Sequence, residues 1–269
     1  GAQTYTGAIT GESSVDDTLS LSTGADVSGG TIAHVEALTL SSGASVRLSA
    51  QQNQHFTGAI TAAGTGMGGE TIAVSGDGAV TTLANIENYT IADDATDART
   101  VTITQADTNV TANSVTDAIT FNAGALTYTG AITGESSVDD TLRLDNGADV
   151  SGGAISNVEA LTLSSGASVR LSAQQNQGFT GTVVAPGTGV NGEDITIVGD
   201  GALTTLTGVE NYVIDDDSTN ARTVMITQAN TTVTASSNTD AMTFNVGAQT
   251  YTGAITGEST VDDTLSLDN

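Results

Sequence analysis

The chain has 269 residues, of which 31 are acidic and five basic, giving a net charge of −26 at neutral pH; all five basic residues are arginines. Without a basic surface to neutralise phosphates, the composition argues against nucleic acid as a partner, and equally against an anionic membrane surface. There is no cysteine, so disulfides and thiolate metal sites are excluded, and no stretch approaches the roughly 18 apolar residues of a membrane-spanning helix.

The chain carries 32 glycines, one proline and no tryptophan, and only 3% of its residues are aromatic. A core must therefore come from Val, Ile, Leu and Ala in thin layers. Apolar periodicity persists throughout, which argues against disorder. The first predicted element is Asp17-Thr-Leu-Ser-Leu21: a charge, then two apolar residues two apart, as in a strand with one buried face. The same phrase recurs at 36–40, 70–74, 87–91, 99–103 and 117–121. It returns at 140–144, 159–163, 193–197, 210–214, 222–226, 240–244 and 263–267. The 34-residue gap between Glu36 and Glu70 predicts a further coil near Phe56. Gly-containing turns separate the phrases, as at Ser22–Gly24, Ser41–Gly43 and Gly76–Gly78. Ser49-Ala-Gln-Gln52 fits a capping box and predicts a single helical turn through Gln54.

Tyr5–Glu12 recurs at Tyr128–Glu135 and Tyr251–Glu258, 123 residues apart each time. Residues 1–123 and 124–246 agree at about 90 of 123 positions without a gap, and 247–269 begin a third copy. The expected fold is all-β: an elongated parallel β-solenoid (β-helix) of tandem 123-residue units, at 1–123, 124–246 and 247–269. Coils of about 17–20 residues are expected, and the chain reads as a piece of something longer.

Stacking the phrases would turn their positions into columns. The outer column, from Ser20 and Thr39 to Thr243, is interrupted by Arg143, Val213 and Met225, so it reads as β-branched strand propensity rather than a regular threonine array. The charged column would hold Asp17, Glu36, Glu70, Glu87, Asp117, Asp140, Glu159, Glu193, Glu210 and Asp240, with Arg99 and Arg222 between. Carboxylates stacked about 5 Å apart repel unless compensated. Turn amides, the intervening arginines and bound cations are the three possible compensations. Calcium takes several hard oxygen ligands from turns, and Asp93, Asp94, Asp97, Asp215, Asp216 and Asp217 lie near the column in sequence. These sixteen acids are the candidate calcium ligands.

Gly66-Met-Gly68-Gly-Glu70-Thr-Ile72 and Gly189-Val-Asn-Gly-Glu193-Asp-Ile195 resemble the glycine-rich nonapeptide of RTX-type calcium β-rolls. Val35–Leu40 and Glu87-Asn-Tyr89 resemble the β-strand repeat regions of giant bacterial secreted surface proteins and adhesins. That resemblance implies secretion, an extracellular or cell-surface location, and a structural or adhesive role.

Catalysis needs a clustered constellation. His34 is Asn157 in the second copy and His55 is Gly178, so neither histidine is required by the fold, and no Ser/His/Asp arrangement or phosphate loop is present. Arg47/Arg170 and Arg99/Arg222 recur, which favours a scaffold role within the acidic column. The expected function is a non-enzymatic structural segment of a long bacterial extracellular protein, as stalk, surface layer or fibre, self-associating. The alternative is a calcium-dependent adhesin that binds glycans or surfaces; less favoured is a glycan-active β-helix enzyme.

Overall fold

Alternating Val, Ile and Leu with Thr and Ser makes short strands, because β-branched side chains suit a pleated, half-buried surface. The computed structural model describes residues 3–64, 68–92, 98–113, 116–187, 192–215, 221–236 and 241–267. Two compact units divide the chain: 1–122 with 129–140, and 123–128 with 141–269. The division therefore falls near the 123-residue sequence repeat without coinciding with it, and residues 247–269 belong to the second unit.

In the first unit the elements are β1 (Ala8–Thr10), β2 (Thr18–Leu21), β3 (Thr31–Ala33), β4 (Ala37–Leu40), β5 (Ser45–Ser49), α1 (Ala50–His55), β6 (Ile60–Thr61), β7 (Thr71–Ser75), β8 (Val80–Thr81), β9 (Asn88–Ala92), β10 (Arg99–Thr102), β11 (Asn109–Asn113), β12 (Ile119–Gly124) and β13 (Ala131–Thr133). Parallel pairing gives the sheets β1-β3, β2-β4-β6, β8-β10-β12 and β5-β7-β9-β11-β13. The coil anticipated near Phe56 is present as β6, with Ile60 paired to Leu38.

The second unit contains β14 (Thr141–Leu144), β15 (Ala154–Ser156), β16 (Ala160–Leu163), β17 (Ser168–Ser172), α2 (Ala173–Gly178), β18 (Val183–Val184), β19 (Asp194–Val198), β20 (Leu203–Thr204), β21 (Asn211–Asp215), β22 (Arg222–Met225), β23 (Thr232–Ser236), β24 (Met242–Asn245), β25 (Ile255–Thr256) and β26 (Thr264–Ser266). Its parallel sheets are β14-β16-β18, β17-β19-β21-β23-β25 and β20-β22-β24-β26. The chain is thus all-β, built as a parallel β-solenoid.

Register turns the sequence into ladders. In the first unit Val46, Ile72, Tyr89, Val110 and Ile132 stack inward in successive coils, beside Leu48, Val74, Ile91 and Ala112. All are buried. Each large aliphatic side chain so buried contributes about 1.5–3 kcal/mol.

One expectation is corrected. The strand phrases do not form a single column but fall in three sheets: Asp17 and Glu36 lead β2 and β4, Glu70 and Glu87 lead β7 and β9, and Arg99 and Asp117 belong with β10 and β12. The register of the last pair also differs, since Val101 lies opposite Phe121 rather than Ile119. Glu87 and Arg99 are 12 residues apart, too close for consecutive coils, and stand on different faces of one coil. Coil length varies from 17 residues (Thr71 opposite Asn88) to 26 (Ser45 opposite Thr71). The long coil is the one that contains α1.

That helix forms for a local reason. The Ser49 hydroxyl accepts the Gln52 N–H at 3.2 Å, and the Gln52 side chain accepts the Ser49 N–H at 2.8 Å. Gln52 Nε2 then donates to the carbonyls of Val27 (2.6 Å) and Gly30 (2.9 Å), tying the helix to an adjoining coil. Ser172 and Gln175 repeat the arrangement in α2, with Val150 and Gly153 as acceptors.

Candidate functional site

The strand-leading carboxylates are where charge and geometry concentrate. Glu70 is fully buried. Its Oε1 accepts the N–H groups of Gly64 (2.9 Å), Ala63 (3.1 Å) and Gly43 (3.2 Å), and its Oε2 also accepts from Gly64. In the second unit Glu193, also fully buried, accepts from Gly187 (2.7 Å) and Gly166 (3.2 Å). Asp140 repeats the principle with two oxygens: Oδ1 accepts the Ile119 N–H and Oδ2 the Glu135 N–H, both at 2.6 Å. Asp263 does likewise with Met242 and Glu258, both at 2.8 Å. One oxygen thus closes the local turn while the other holds an adjacent coil.

A spacing not used in the sequence reading marks these clasps. A glycine lies six residues ahead of the acid in Gly11/Asp17, Gly64/Glu70, Gly134/Asp140, Gly187/Glu193 and Gly257/Asp263. A Cβ on Gly64 would stand 2.5 Å from Glu70 Oε2, and one on Gly187 2.8 Å from Glu193 Oε1. Gly11 and Gly257 are equally closed to a side chain by Asp17 and Asp263. The glycine lets the backbone come close enough for its own amide (Gly64, Gly187) or that of the next residue (Glu12, Glu135, Glu258) to reach the carboxylate.

Two carboxyl pairs lie in adjacent coils. The Glu70 N–H donates to Glu87 Oε2 at 3.0 Å, and the two carboxyl groups adjoin. Burial alone would raise the Glu70 carboxyl, but the amide donors led by Gly64 outweigh it and hold it below the ordinary carboxylate value. Burial, reinforced by the negative charge of Glu70, raises Glu87. Glu210, beside Glu193, is raised by burial and by the Glu193 charge. The Oε2 atoms of Glu193 and Glu210 are both buried without a hydrogen-bond donor.

The remaining candidate ligands are dispersed. Asp17 accepts the Glu12 N–H, and Glu36 accepts the Asp17 N–H at 3.2 Å. Asp117 accepts from the Thr116 hydroxyl at 3.3 Å. Glu159 leads β16. Asp215 pairs with Arg170 at 3.0 Å, an arginine that also reaches Asp149 at 3.4 Å. Asp93, Asp94, Asp97, Asp216, Asp217 and Asp240 lie outside the described residues. Among the described residues no three of His, Asp and Glu come together as a metal-holding group. Arg99 and Arg222 are buried, and each donates to a turn carbonyl, of Gly76 and Gly199 respectively.

His34 is exposed and has φ 54°, with its counterpart Asn157 at φ 50°. This is a turn position that asparagine suits and at which histidine is tolerated. His55 is exposed at the end of α1. Against known protein families, curated proteins and solved structures, the chain matches none.

Proposed function

We propose that the chain is a non-enzymatic structural segment of a long bacterial extracellular or cell-surface protein, serving as a stiff stalk, surface layer or fibre. The observation that carries this reading is the recurring carboxylate clasp, in which buried acids are used on backbone amides that fasten one coil to the next. Acids placed this way stiffen a coil stack and leave a highly charged, soluble exterior. The test is length: purified versions with additional copies of the 123-residue unit should lengthen in proportion to copy number in negative-stain images. Particles that grow in all directions instead would overturn the reading. Filaments appearing at micromolar protein would extend it to self-association.

A second reading, a calcium-dependent adhesin module that binds glycans or surfaces, draws on the Glu193 and Glu210 pair. Two buried carboxyl oxygens without donors invite a cation, whether a proton or a metal ion. Calorimetric titration with calcium separates the two: saturable heat abolished by Glu210→Gln favours the adhesin, and no heat favours the stalk.

A further inference from the structure

Both helices open a cleft at their C-terminal end, and the two clefts correspond residue for residue. In the first unit Asn53, Gln54, Phe56, Thr57, Thr81 and Leu83 line about 250 Å³. In the second unit Asn176, Gln177, Phe179, Thr180, Thr204 and Leu206 line about 470 Å³. All six identities are retained between the copies. Around them the sequence has changed: His55 is Gly178, Ala59 is Thr182, Thr61 is Val184, Ala84 is Thr207 and Asn85 is Gly208.

The walls are held by a buried network. Asn53 is fully buried; its Nδ2 donates to the Thr81 carbonyl at 2.8 Å and its Oδ1 accepts the Tyr89 hydroxyl at 3.4 Å. The Tyr89 oxygen accepts the Leu83 N–H at 2.8 Å. Asn176, Thr204, Tyr212 and Leu206 repeat every bond. Gln54 is fixed by its Nε2, which donates to the Ala79 carbonyl at 2.6 Å. That leaves the Gln54 amide oxygen and the hydroxyls of Thr57 and Thr81 to meet a ligand. Phe56 and Leu83 supply an apolar wall.

We infer that each cleft binds a neutral carbohydrate ring. Hydroxyls that both donate and accept, a fixed amide acceptor and an apolar wall match a pyranose, which carries hydroxyls at its rim and C–H groups on its faces. The first cleft falls just below and the second within the roughly 300–1,000 Å³ of small-molecule sites, room for a single ring in each. No charged side chain lines either cleft, and the net charge of −26 repels anionic sugars. The wider second cleft belongs to the copy with Gly208 in place of Asn85, whose side chain reaches the Ile60 carbonyl at 3.1 Å in the first unit. This inference goes beyond the structural reading and does not depend on it.

The experiment is an NMR titration of the whole chain with methyl β-glucopyranoside, methyl β-galactopyranoside and methyl α-mannopyranoside, with glucuronate as the charged comparison. Saturable shifts of the Asn53, Gln54, Asn176 and Gln177 side-chain amides with at least one neutral glycoside are expected. The affinity should fall at least about tenfold in Thr81→Glu with Thr204→Glu. Thr57→Asp with Thr180→Asp, at exposed positions, should give the same loss should the first pair perturb folding. The inference is overturned by the absence of saturable shifts with all three glycosides, by shifts that survive both variant pairs, or by equal binding of glucuronate.

Discussion

The main-chain N–H of Glu70 donates to the carboxyl of Glu87, in the adjacent coil, at 3.0 Å. The two side chains therefore titrate against each other, with Glu70 held low by its amide donors and Glu87 pushed up by burial and by Glu70. A raised carboxyl contributes stability that is complete below its unfolded value and lost as pH rises through the folded one. A lowered carboxyl contributes stability that is present above its unfolded value and lost as pH falls through the folded one. Stability should therefore peak in mild acid, between the two, rather than at neutral pH. Glu87→Gln and Glu210→Gln mimic the protonated partner. Each should gain on the order of 1 kcal/mol at pH 7 and flatten the acid maximum, as read from urea midpoints across pH. A midpoint that rises steadily from mild acid to neutral would refute the pairing.

The glycines ahead of the clasps are predicted to be irreplaceable for a steric reason. Gly64→Ala places a Cβ 2.5 Å from Glu70 Oε2, and Gly187→Ala one 2.8 Å from Glu193 Oε1. Each should cost about 1–3 kcal/mol, because the displaced carboxylate is fully buried. Gly178, the last residue of α2, has nothing within 4 Å of its would-be Cβ. There Gly178→Ala should stabilise by about 0.5–1 kcal/mol through helix propensity. Equal losses at all three positions would mean that the clasps carry no particular weight.

The contrast between these glycines shows what was legible in the sequence. Alternating Leu19 and Leu21 or Ile72 and Val74 announced strands, and the 123-residue offset announced a repeat array, because periodicity survives in one dimension. The capping box at Ser49 was legible because both partners lie within four residues. Face assignment was not. Which residue lies opposite Glu87 depends on how many residues each coil spends in turns, and that number varies from 17 to 26 with the inserted helix. Three compensations for the stacked acids stood open from the sequence. The amide clasp became visible only with the Gly64–Glu70 approach, although the six-residue spacing to glycine was there to be counted.

The helices are predicted to be rivets between coils. Ser49→Ala removes one half of the capping box and should cost about 1 kcal/mol. Gln52→Ala also removes the side-chain donor to the Val27 and Gly30 carbonyls, of which Val27 keeps the Gly30 N–H, and should cost about 1–3 kcal/mol. The double variant should lose less than the sum, because the two side chains bond reciprocally. Additive losses measured by urea denaturation would show that helix capping and coil fastening are separate.

Chelation distinguishes amide clasps from ion-held acids. Glu70, Asp140, Glu193 and Asp263 already receive N–H donors, and such bonds to a charged group stabilise it by about 1.5–3 kcal/mol each without a metal. Excess EDTA should therefore leave the melting temperature unchanged at low and moderate salt, whereas adding sodium chloride should raise it by screening the net charge of −26. The salt control matters, because any divalent ion also screens acids non-specifically. A melting temperature raised by calcium well beyond an equal ionic strength of sodium chloride, and restored to its starting value by EDTA, would shift the weight from the stalk to the calcium-dependent adhesin. Glu210→Gln should then abolish that increment if the Glu193 and Glu210 pair is the place where the ion sits.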